Sequence, residues 1–264
     1  MKKRIAIFLM SVLLIGLLAA CGTKEKDSNN GAGENADDKK VLIMGTSADY
    51  PPFEYIDTAK SEEIVGFDVD LAKAIAEKAG YELQVKDIDF SGLIPAIETE
   101  QVDFVMAGMT PTEDRKKNVD FSDIYYVAKN MIITKKDSSI KTVDDLKDKT
   151  IGVQLSSIQE GEAKELAKTM DIKVENRNRI PELVQELKAG RFDAAMIEDT
   201  VAKGYFKKNP DLGGFTMEVS EQEAGSAIAF PKDSKLTEDF NKALNEMKEN
   251  GELEKLVLKW FGGE

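Results

Sequence analysis

The residues with the clearest chemistry surround Arg115. Thr110 is typical of a helix N-cap, Pro111 of the first helical residue, and Glu113 of the reciprocal acid in a capping box. This spacing predicts a helix that begins after Thr110 and carries Arg115 one turn inside. Free backbone N–H groups at a helix start, together with a guanidinium, form a site for a carboxylate. The alternative is a capped helix in which Arg115 pairs with an acid such as Asp120.

A second chemical signal is the one cysteine of the chain, Cys21. Basic residues at positions 2–4 and an apolar run over 5–20 precede it, as in a secretory signal. Small residues directly before a cysteine resemble the lipobox of bacterial lipoproteins, which implies cleavage before Cys21 and a lipid on its thiol. The alternative is an ordinary signal peptide with a chance cysteine, although a lone cysteine can form no internal disulfide.

Composition argues against several other kinds of site. The chain has no histidine and one cysteine, so we expect no metal site and no cofactor. Removing residues 1–20 leaves 33 basic against 49 acidic residues, a net charge of −16. So acidic a protein is a poor nucleic-acid binder, because such binding depends on basic patches. Long-range attraction weakly favours a cationic ligand.

The elements that position these residues alternate between strand and helix. The segment 22–40 is polar and is predicted to be a flexible tether, with the fold beginning at Val41. Apolar runs and helical spacing predict strands at 41–44, 81–85, 102–106, 151–155 and 194–197, and helices at 69–79, 91–99, 158–170, 180–189, 240–249 and 253–261. Such alternation indicates an α/β protein with mainly parallel sheets flanked by helices.

The order of elements partly restarts after the polar break at 135–139, which predicts two lobes with a ligand cleft between them. The predicted arrangement is a signal peptide at 1–20, a lipidated linker at 21–40, lobe 1 from 41–132 plus 228–264, and lobe 2 from 133–227. We expect the hinge near 132–135 and 227–230.

Several stretches in this order resemble the family of extracellular solute-binding proteins that deliver polar amino acids to ABC importers. The matching stretches are GTSADYPPFE (45–54), GFDVDL (66–71), TPTEDR (110–115), FSDIYY (121–126), GVQ (152–154) and GRFDAA (190–195). The likeness extends from Val41 to the end of the chain and is greatest to lipoproteins of bacilli that bind arginine or other basic amino acids. It implies a periplasmic-binding-protein-like fold with the ligand between the lobes.

The resemblance also implies roles for particular residues. Arg115 would hold the ligand α-carboxylate, helped by backbone N–H groups of Thr110 and of the turn Ser157–Ile158–Gln159. The α-ammonium would lie between the Gly108 carbonyl, the Thr110 hydroxyl and an acid after the strand 194–197. Either Glu198 or Asp199 fits that place. A gap-free alignment favours Glu198, where the family usually has Asp.

The ligand side chain would lie between Tyr50 and Phe90, whose flat faces suit a guanidinium or ammonium stem. Asp49, Asp68 and Asp89 are candidates for its distal charge, although Asp68 also suits a helix cap. One basic-ligand member of the family has an acid at the position of Ser47, which weakens this part of the prediction.

The expected function is therefore a substrate-binding lipoprotein of an ABC amino-acid importer, lipid-anchored on the outer face of the cell membrane, which closes around arginine in preference to lysine or histidine. Its partners would be the amino acid, the permease subunits and, through Cys21, the bilayer. A glutamine or other polar amino-acid receptor of the same class is the main alternative. Less expected alternatives are a dehydratase-like enzyme on the same scaffold and the ectodomain of a sensor.

Overall fold

The computed structural model describes residues 40–217 and 224–262. The predicted signal peptide, Cys21 and all of the predicted linker except Lys40 lie outside these ranges. The first strand begins at Val41, where the fold was predicted to begin. Within the described ranges no helix combines the length and apolarity needed to cross a bilayer.

Fifteen strands and seven α-helices make up the described part of the chain. The strands are β1 Val41–Thr46, β2 Asp49–Tyr50, β3 Glu54–Ile56, β4 Ile64–Val65, β5 Glu82–Asp87, β6 Phe104–Val105, β7 Val119–Phe121, β8 Tyr126–Ala128, β9 Asn130–Lys135, β10 Lys149–Gln154, β11 Ile172–Arg177, β12 Ala194–Glu198, β13 Leu212–Thr216, β14 Ala224–Ser226 and β15 Ala229–Pro231. The helices are α1 Phe67–Lys78, α2 Leu93–Glu98, α3 Ile158–Thr169, α4 Ile180–Ala189, α5 Asp199–Lys208, α6 Lys235–Glu249 and α7 Glu252–Phe261.

Two five-stranded sheets form the centres of two lobes. The first sheet has the order β5-β1-β6-β15-β7 and the second has the order β11-β10-β12-β9-β13. In each sheet three neighbouring strands are parallel, the fourth is reversed, and the fifth is antiparallel to the fourth. Four strands of each sheet thus share one direction, as the mainly parallel prediction requires. Lobe 1 is the part built on the first sheet, and lobe 2 is the part built on the second.

The chain passes between the lobes along the antiparallel pair β8 and β14. The predicted hinge segments are therefore wrong by several residues, because 132–135 lies within β9 of the second sheet and 229–230 lies within β15 of the first. The predicted lobe boundary after residue 132 cuts β9, all of which pairs within the second sheet. Strand pairing places the change of sheet before Asn130.

Apolar spacing explains why the helices flank these sheets. In α4 the buried residues Ile180, Leu183, Val184 and Leu187 form one face, and Gly190 ends the helix in a left-handed conformation with φ of 74°. This helix begins and ends where the sequence predicted. In lobe 1 the rings of Phe104, Phe230 and Phe240 join the first sheet to α6, with the Phe104 and Phe240 centroids 4.9 Å apart.

The predicted helix after Thr110 does not form. Residues 111–114 are not helical, and only a short 3-10 turn follows, at Arg115–Lys117. The N-cap of this turn is Asp114, and Thr112 holds the turn in place, since its hydroxyl accepts from the Arg115 N–H at 3.3 Å and its carbonyl accepts from the Lys116 N–H. This three-residue 3-10 turn is too short to form the helix start that was predicted to offer free N–H groups beside Arg115.

Candidate functional site

A cavity of about 330 Å³ lies between the two lobes. That volume includes the open part of the cleft, which bulk solvent fills. The cavity is lined by Ser47, Asp49, Tyr50, Glu54, Phe90, Ala107, Gly108, Thr110, Arg115, Gln154, Ser157, Ile158, Gln159 and Glu198.

The cavity wall follows the carboxyl ends of the parallel strands in both sheets. Ser47 and Asp49 follow β1, Ala107 follows β6, and Phe90 follows β5. On the other side, Ser157 follows β10 and Glu198 is the last residue of β12. Ligand sites in open α/β sheets occur at this edge. Because both sheets present it to the same cavity, a ligand there contacts both lobes.

Arg115 joins the two lobes at one end of the cavity. Its Nη1 donates to the Thr110 carbonyl and its Nη2 donates to the Ser156 carbonyl, both at 2.8 Å, while its guanidinium carbon is 5.3 Å from the centroid of the Phe90 ring. The alternative pairing with Asp120 is wrong, since that carboxylate accepts from Lys232. A guanidinium has five N–H donors, so Arg115 retains donors for a ligand.

The start of α3 lies beside Arg115, directly after the Ser156 carbonyl that Arg115 contacts. Ser157 caps this twelve-residue helix, its hydroxyl accepting from the Glu160 N–H at 3.1 Å. The Ser157 N–H donates to the Gln154 carbonyl, so it is not the donor that the resemblance implied. The N–H groups of Ile158 and Gln159 belong to the first turn, where a helix supplies no acceptor of its own. Burial lowers the pKa of Arg115 to about 10, which leaves the guanidinium charged at neutral pH beside these donors.

Glu198 and Tyr50 form another part of the cavity wall. Glu198 is 2% exposed, its Oε2 has no partner among the described residues, and the neighbouring Tyr50 hydroxyl acts to lower its pKa. Burial, the largest cause, and then the charge of Asp199 raise the pKa of Glu198 to about 8. Asp199 does not line the cavity; its Oδ1 accepts from the Lys129 N–H, and Lys203 pairs with its carboxylate. Of the two candidate acids, only Glu198 reaches the site.

Gly108 is held in a conformation that suits glycine. Its φ is 56°, and a Cβ there would stand 3.3 Å from the Tyr50 ring. Its N–H donates to Asp68 Oδ2 at 2.9 Å, and the Tyr125 hydroxyl donates to the same oxygen at 2.8 Å. Asp68 is buried behind the cavity wall, and the cap of α1 is Gly66, not this carboxylate. The prediction of a helix cap at Asp68 is therefore wrong; the residue positions Gly108.

Glu54 is a cavity residue that the sequence analysis missed. It is fully buried, and neither carboxylate oxygen has a partner among the described hydrogen bonds. Burial and the neighbouring carboxylates, with Asp68 first among them, raise its pKa well above the ordinary value. The sequence does place this acid within the aromatic and proline-rich segment 50–55. An acid among such residues is expected to be buried, and a buried carboxylate is costly unless a partner meets it.

The aspartates proposed for the distal charge have partners in the protein. Asp49 lines the cavity, but its Oδ1 accepts from the Ser47 hydroxyl and its Oδ2 from the Ile180 N–H of lobe 2. Burial raises its pKa to about 6. Asp89 does not line the cavity, and it pairs with Arg179. No cluster of three or more metal-binding side chains is present in the described ranges.

The fold and the site define a class of protein: two lobes joined by a pair of crossing strands, with a polar cavity made by both. The chain belongs to the bacterial extracellular solute-binding proteins, family 3, whose model matches residues 42–263. Membership makes it an extracellular protein that binds a solute, and it confirms the family predicted from the sequence stretches.

Individual relatives are similar over most of their length. The arginine-binding extracellular protein ArtP of Bacillus subtilis (strain 168) is 57% identical over 263 residues, which cover 99% of each chain. The solved structure of an ancestral arginine-binding protein bound to arginine has a TM-score of 0.79 and 45% identity, covering 84% of this chain and 99% of that one. The ancestral arginine-binding protein bound to glutamine has a TM-score of 0.78 and 44% identity, covering 85% and 99%.

Proposed function

We propose that this protein captures a basic L-amino acid, arginine before lysine or histidine, outside the cell and presents it to an ABC importer. The observation that carries the proposal is the charge of the cavity. Asp49, Glu54 and Glu198 line it together with one cation, Arg115. Buried carboxylates are costly unless a cation meets them, so the wall favours a ligand with two positive groups and one negative group.

The α-carboxylate is assigned to Arg115 and the start of α3. A guanidinium grips a carboxylate with two parallel hydrogen bonds, and the first-turn N–H groups of Ile158 and Gln159 add donors from the other lobe. This contact therefore links the lobes through the ligand. Binding favours the closed arrangement because both lobes contribute to it.

The α-ammonium is assigned to Glu198, the Gly108 carbonyl and the Thr110 hydroxyl. Glu198 Oε2 is buried and has no partner in the described part of the chain, so an ammonium would satisfy it. An ammonium has three donors, which match three acceptors converging from both lobes.

The side chain is assigned to the region between Tyr50 and Phe90, with Glu54 as the partner of the distal charge. Glu54 is fully buried beside the Asp68 carboxyl, and its oxygens accept no N–H or hydroxyl hydrogen bond from the described ranges, which suits the two-pronged hydrogen bonding of a guanidinium. Asp49 remains near this end, although its oxygens are engaged by Ser47 and Ile180. The 57% identical relative named as arginine-binding supports the same choice of ligand.

Calorimetry with arginine, lysine, histidine and glutamine tests the ligand. We expect arginine to bind most tightly, and Arg115→Ala to weaken binding of every one of them by at least tenfold, roughly 1.4 kcal/mol. Arg115→Lys is the matched control that keeps the charge but loses the two-pronged grip, and it should retain part of the affinity. Glutamine binding far tighter than arginine would overturn the basic-ligand assignment.

Glutamine is the second candidate, favoured by the raised pKa values in the cavity. A carboxyl group that keeps its proton near neutral pH can donate to a neutral amide, and burial raises the pKa of Glu198 to about 8 and that of Glu54 well above its ordinary value. A dehydratase-like enzyme is disfavoured because the family and the 57% identical relative are solute-binding proteins. Turnover of an amino acid without stoichiometric binding would instead support an enzyme.

The proposal that the protein delivers its amino acid to a membrane permease rests on the sequence around Cys21. A lipid on Cys21 would tether the receptor to the outer face of the membrane and raise its concentration near the permease. Replacement by Cys21→Ala should release the protein into the medium with its amino-acid affinity unchanged, as measured on the released protein. Retention at the membrane would contradict lipid anchoring through this residue.

A further inference from the structure

Three aspartates of lobe 1 surround the start of α4 in lobe 2. Asp87 Oδ1 accepts from Arg179 Nη1 at 2.8 Å, and Asp89 Oδ1 accepts from Arg179 Nε at 2.5 Å. Asp49 Oδ2 accepts from the Ile180 N–H at 2.9 Å, and this bond is buried. We call these three aspartates and Arg179 the α4 clamp.

The clamp is built from preorganised groups on both sides. Asp87 also accepts from the Ala48 N–H at 2.9 Å, which orients its carboxylate from within lobe 1. In lobe 2 the Arg179 N–H donates to Glu182 at 3.1 Å, which secures the first turn of α4. The ten-residue helix adds the partial positive charge of its N-terminus to the guanidinium. Negative charge in lobe 1 therefore faces positive charge in lobe 2.

The two ion pairs of the clamp lie outside the cavity, since Arg179, Asp87 and Asp89 are not among the residues that line it. Asp49 lines the cavity, as does Ser47, whose hydroxyl oxygen is 3.5 Å from Arg179 Nη1, but the Asp49 oxygens are engaged by Ser47 and Ile180. The ion pairs of Arg179 therefore do not depend on the side chain that the ligand carries. Separation of the lobes would break all of these bonds together.

We propose that Arg179 is a positioning residue that holds the two lobes together and sets the affinity for every accepted amino acid by the same factor. The ligand-contacting residues would then decide which amino acid is preferred, and the clamp would decide how long any of them is retained. This inference adds to the proposed function a residue that contacts no ligand and has no role in selectivity.

The partial exposure of the Arg179 ion pairs limits the loss of ligand affinity that we expect when they are removed. The Arg179 side chain is 24% exposed, with Asp87 and Asp89 at 37% and 44%, so solvent screens the pairs and a large effect is not expected. The two hydrogen bonds to charged groups and the helix start act together, which makes a loss of about tenfold in affinity the expected result for Arg179→Ala. The loss should appear mainly as faster dissociation.

The test compares Arg179→Ala, Arg179→Lys and a control, Arg191→Ala, whose ion pair with Glu186 lies within lobe 2. Calorimetry and stopped-flow dissociation are measured with arginine, lysine and glutamine. We expect Arg179→Ala to weaken all three by the same factor, Arg179→Lys to recover part of the loss, and the control to leave affinity unchanged. Raising the salt concentration should weaken wild-type binding more than binding by Arg179→Ala.

A ligand-independent measurement separates this inference from the proposed function. Small-angle scattering of the protein without amino acid should give a larger radius of gyration for Arg179→Ala than for wild type. If wild type bound no amino acid, the proposed function would fail and scattering would still test the clamp. Unchanged affinity with unchanged scattering, or a loss confined to arginine, would overturn the inference.

Discussion

At the scale of single residues, the cavity depends on carboxylates that have few partners in the protein. Glu54 is the most extreme, being fully buried beside the Asp68 carboxyl while its oxygens accept from no N–H or hydroxyl donor in the described ranges. Such a group is destabilising until a ligand supplies the missing charge or hydrogen bonds. We therefore explain the destabilising burial of the Glu54 carboxylate by its interaction with the ligand.

Glu54→Gln should separate arginine binding from glutamine binding. The amide keeps the shape of the side chain but loses the negative charge, so arginine affinity should fall by about ten- to a hundredfold while glutamine affinity changes only a few-fold. Calorimetry with both amino acids checks this, with Glu62→Gln as the surface control that removes the same charge from an exposed position. An equal loss for both ligands would show that Glu54 supports the fold and not the distal charge.

How far the sequence predicts the site depends on which contacts are local. Arg115, Tyr50, Phe90 and Glu198 were proposed from the resemblance, and the structure places all four on the cavity wall. Asp68 was misread, because its partners Gly108 and Tyr125 are 40 and 57 residues away in the chain. No local pattern reveals whether a carboxylate faces a ligand or a backbone N–H from another element.

At the scale of elements, close packing of α4 on the second sheet depends on a glycine. A Cβ on Gly152 would stand 2.4 Å from Cδ2 of Phe192 and 3.1 Å from a methyl group of Leu183. Both side chains are buried, so neither can move freely. The sequence stretches GVQ and GRFDAA are thus parts of one packing contact between β10 and the segment that leads into β12.

Gly152→Ala should destabilise the protein by about 1–3 kcal/mol through overpacking. Gly161→Ala is the matched comparison, since nothing lies within 4 Å of its added Cβ and alanine favours the helix α3 by roughly 0.5–1 kcal/mol. Urea unfolding of both variants measures the difference. Equal stability of the two would contradict the packing argument.

Helix prediction succeeded where apolar spacing set the element and failed where capping residues alone suggested one. The periodic face of α4 gave its bounds without error. The segment after Thr110 has the right capping residues but must carry Arg115 into the cavity, where the Thr110 carbonyl accepts from its side chain at 2.8 Å. Tertiary contacts of this kind override local propensity.

At the scale of the whole molecule, four buried acids connect stability to pH. Burial raises the pKa of Asp49 to about 6, that of Asp68 to about 7 and that of Glu198 to about 8, and it raises that of Glu54 as well. Unfolded carboxyl groups titrate near pH 4, so above that the native state binds more protons than the unfolded state. Stability from these groups is present at low pH and is lost as the pH rises through their folded values.

Between pH 6 and 8 the melting temperature of the protein without amino acid should therefore fall. A cationic ligand favours the ionised acids, so the increase in melting temperature caused by arginine should grow over the same range, while that caused by glutamine should grow less. Scanning calorimetry with and without each amino acid checks both slopes. A melting temperature that rose with pH in the absence of ligand would contradict the pKa assignments.

The order of strands along the chain has a consequence for synthesis. All five strands of the second sheet lie between Asn130 and Thr216, whereas the first sheet receives β15, its strand between β6 and β7, only at residues 229–231. A chain that emerges from its amino end can complete lobe 2 while lobe 1 still exposes two unpaired strand edges. Lobe 1, although it comes first in the sequence, is the last to be finished, and it is the part that needs protection from aggregation until then.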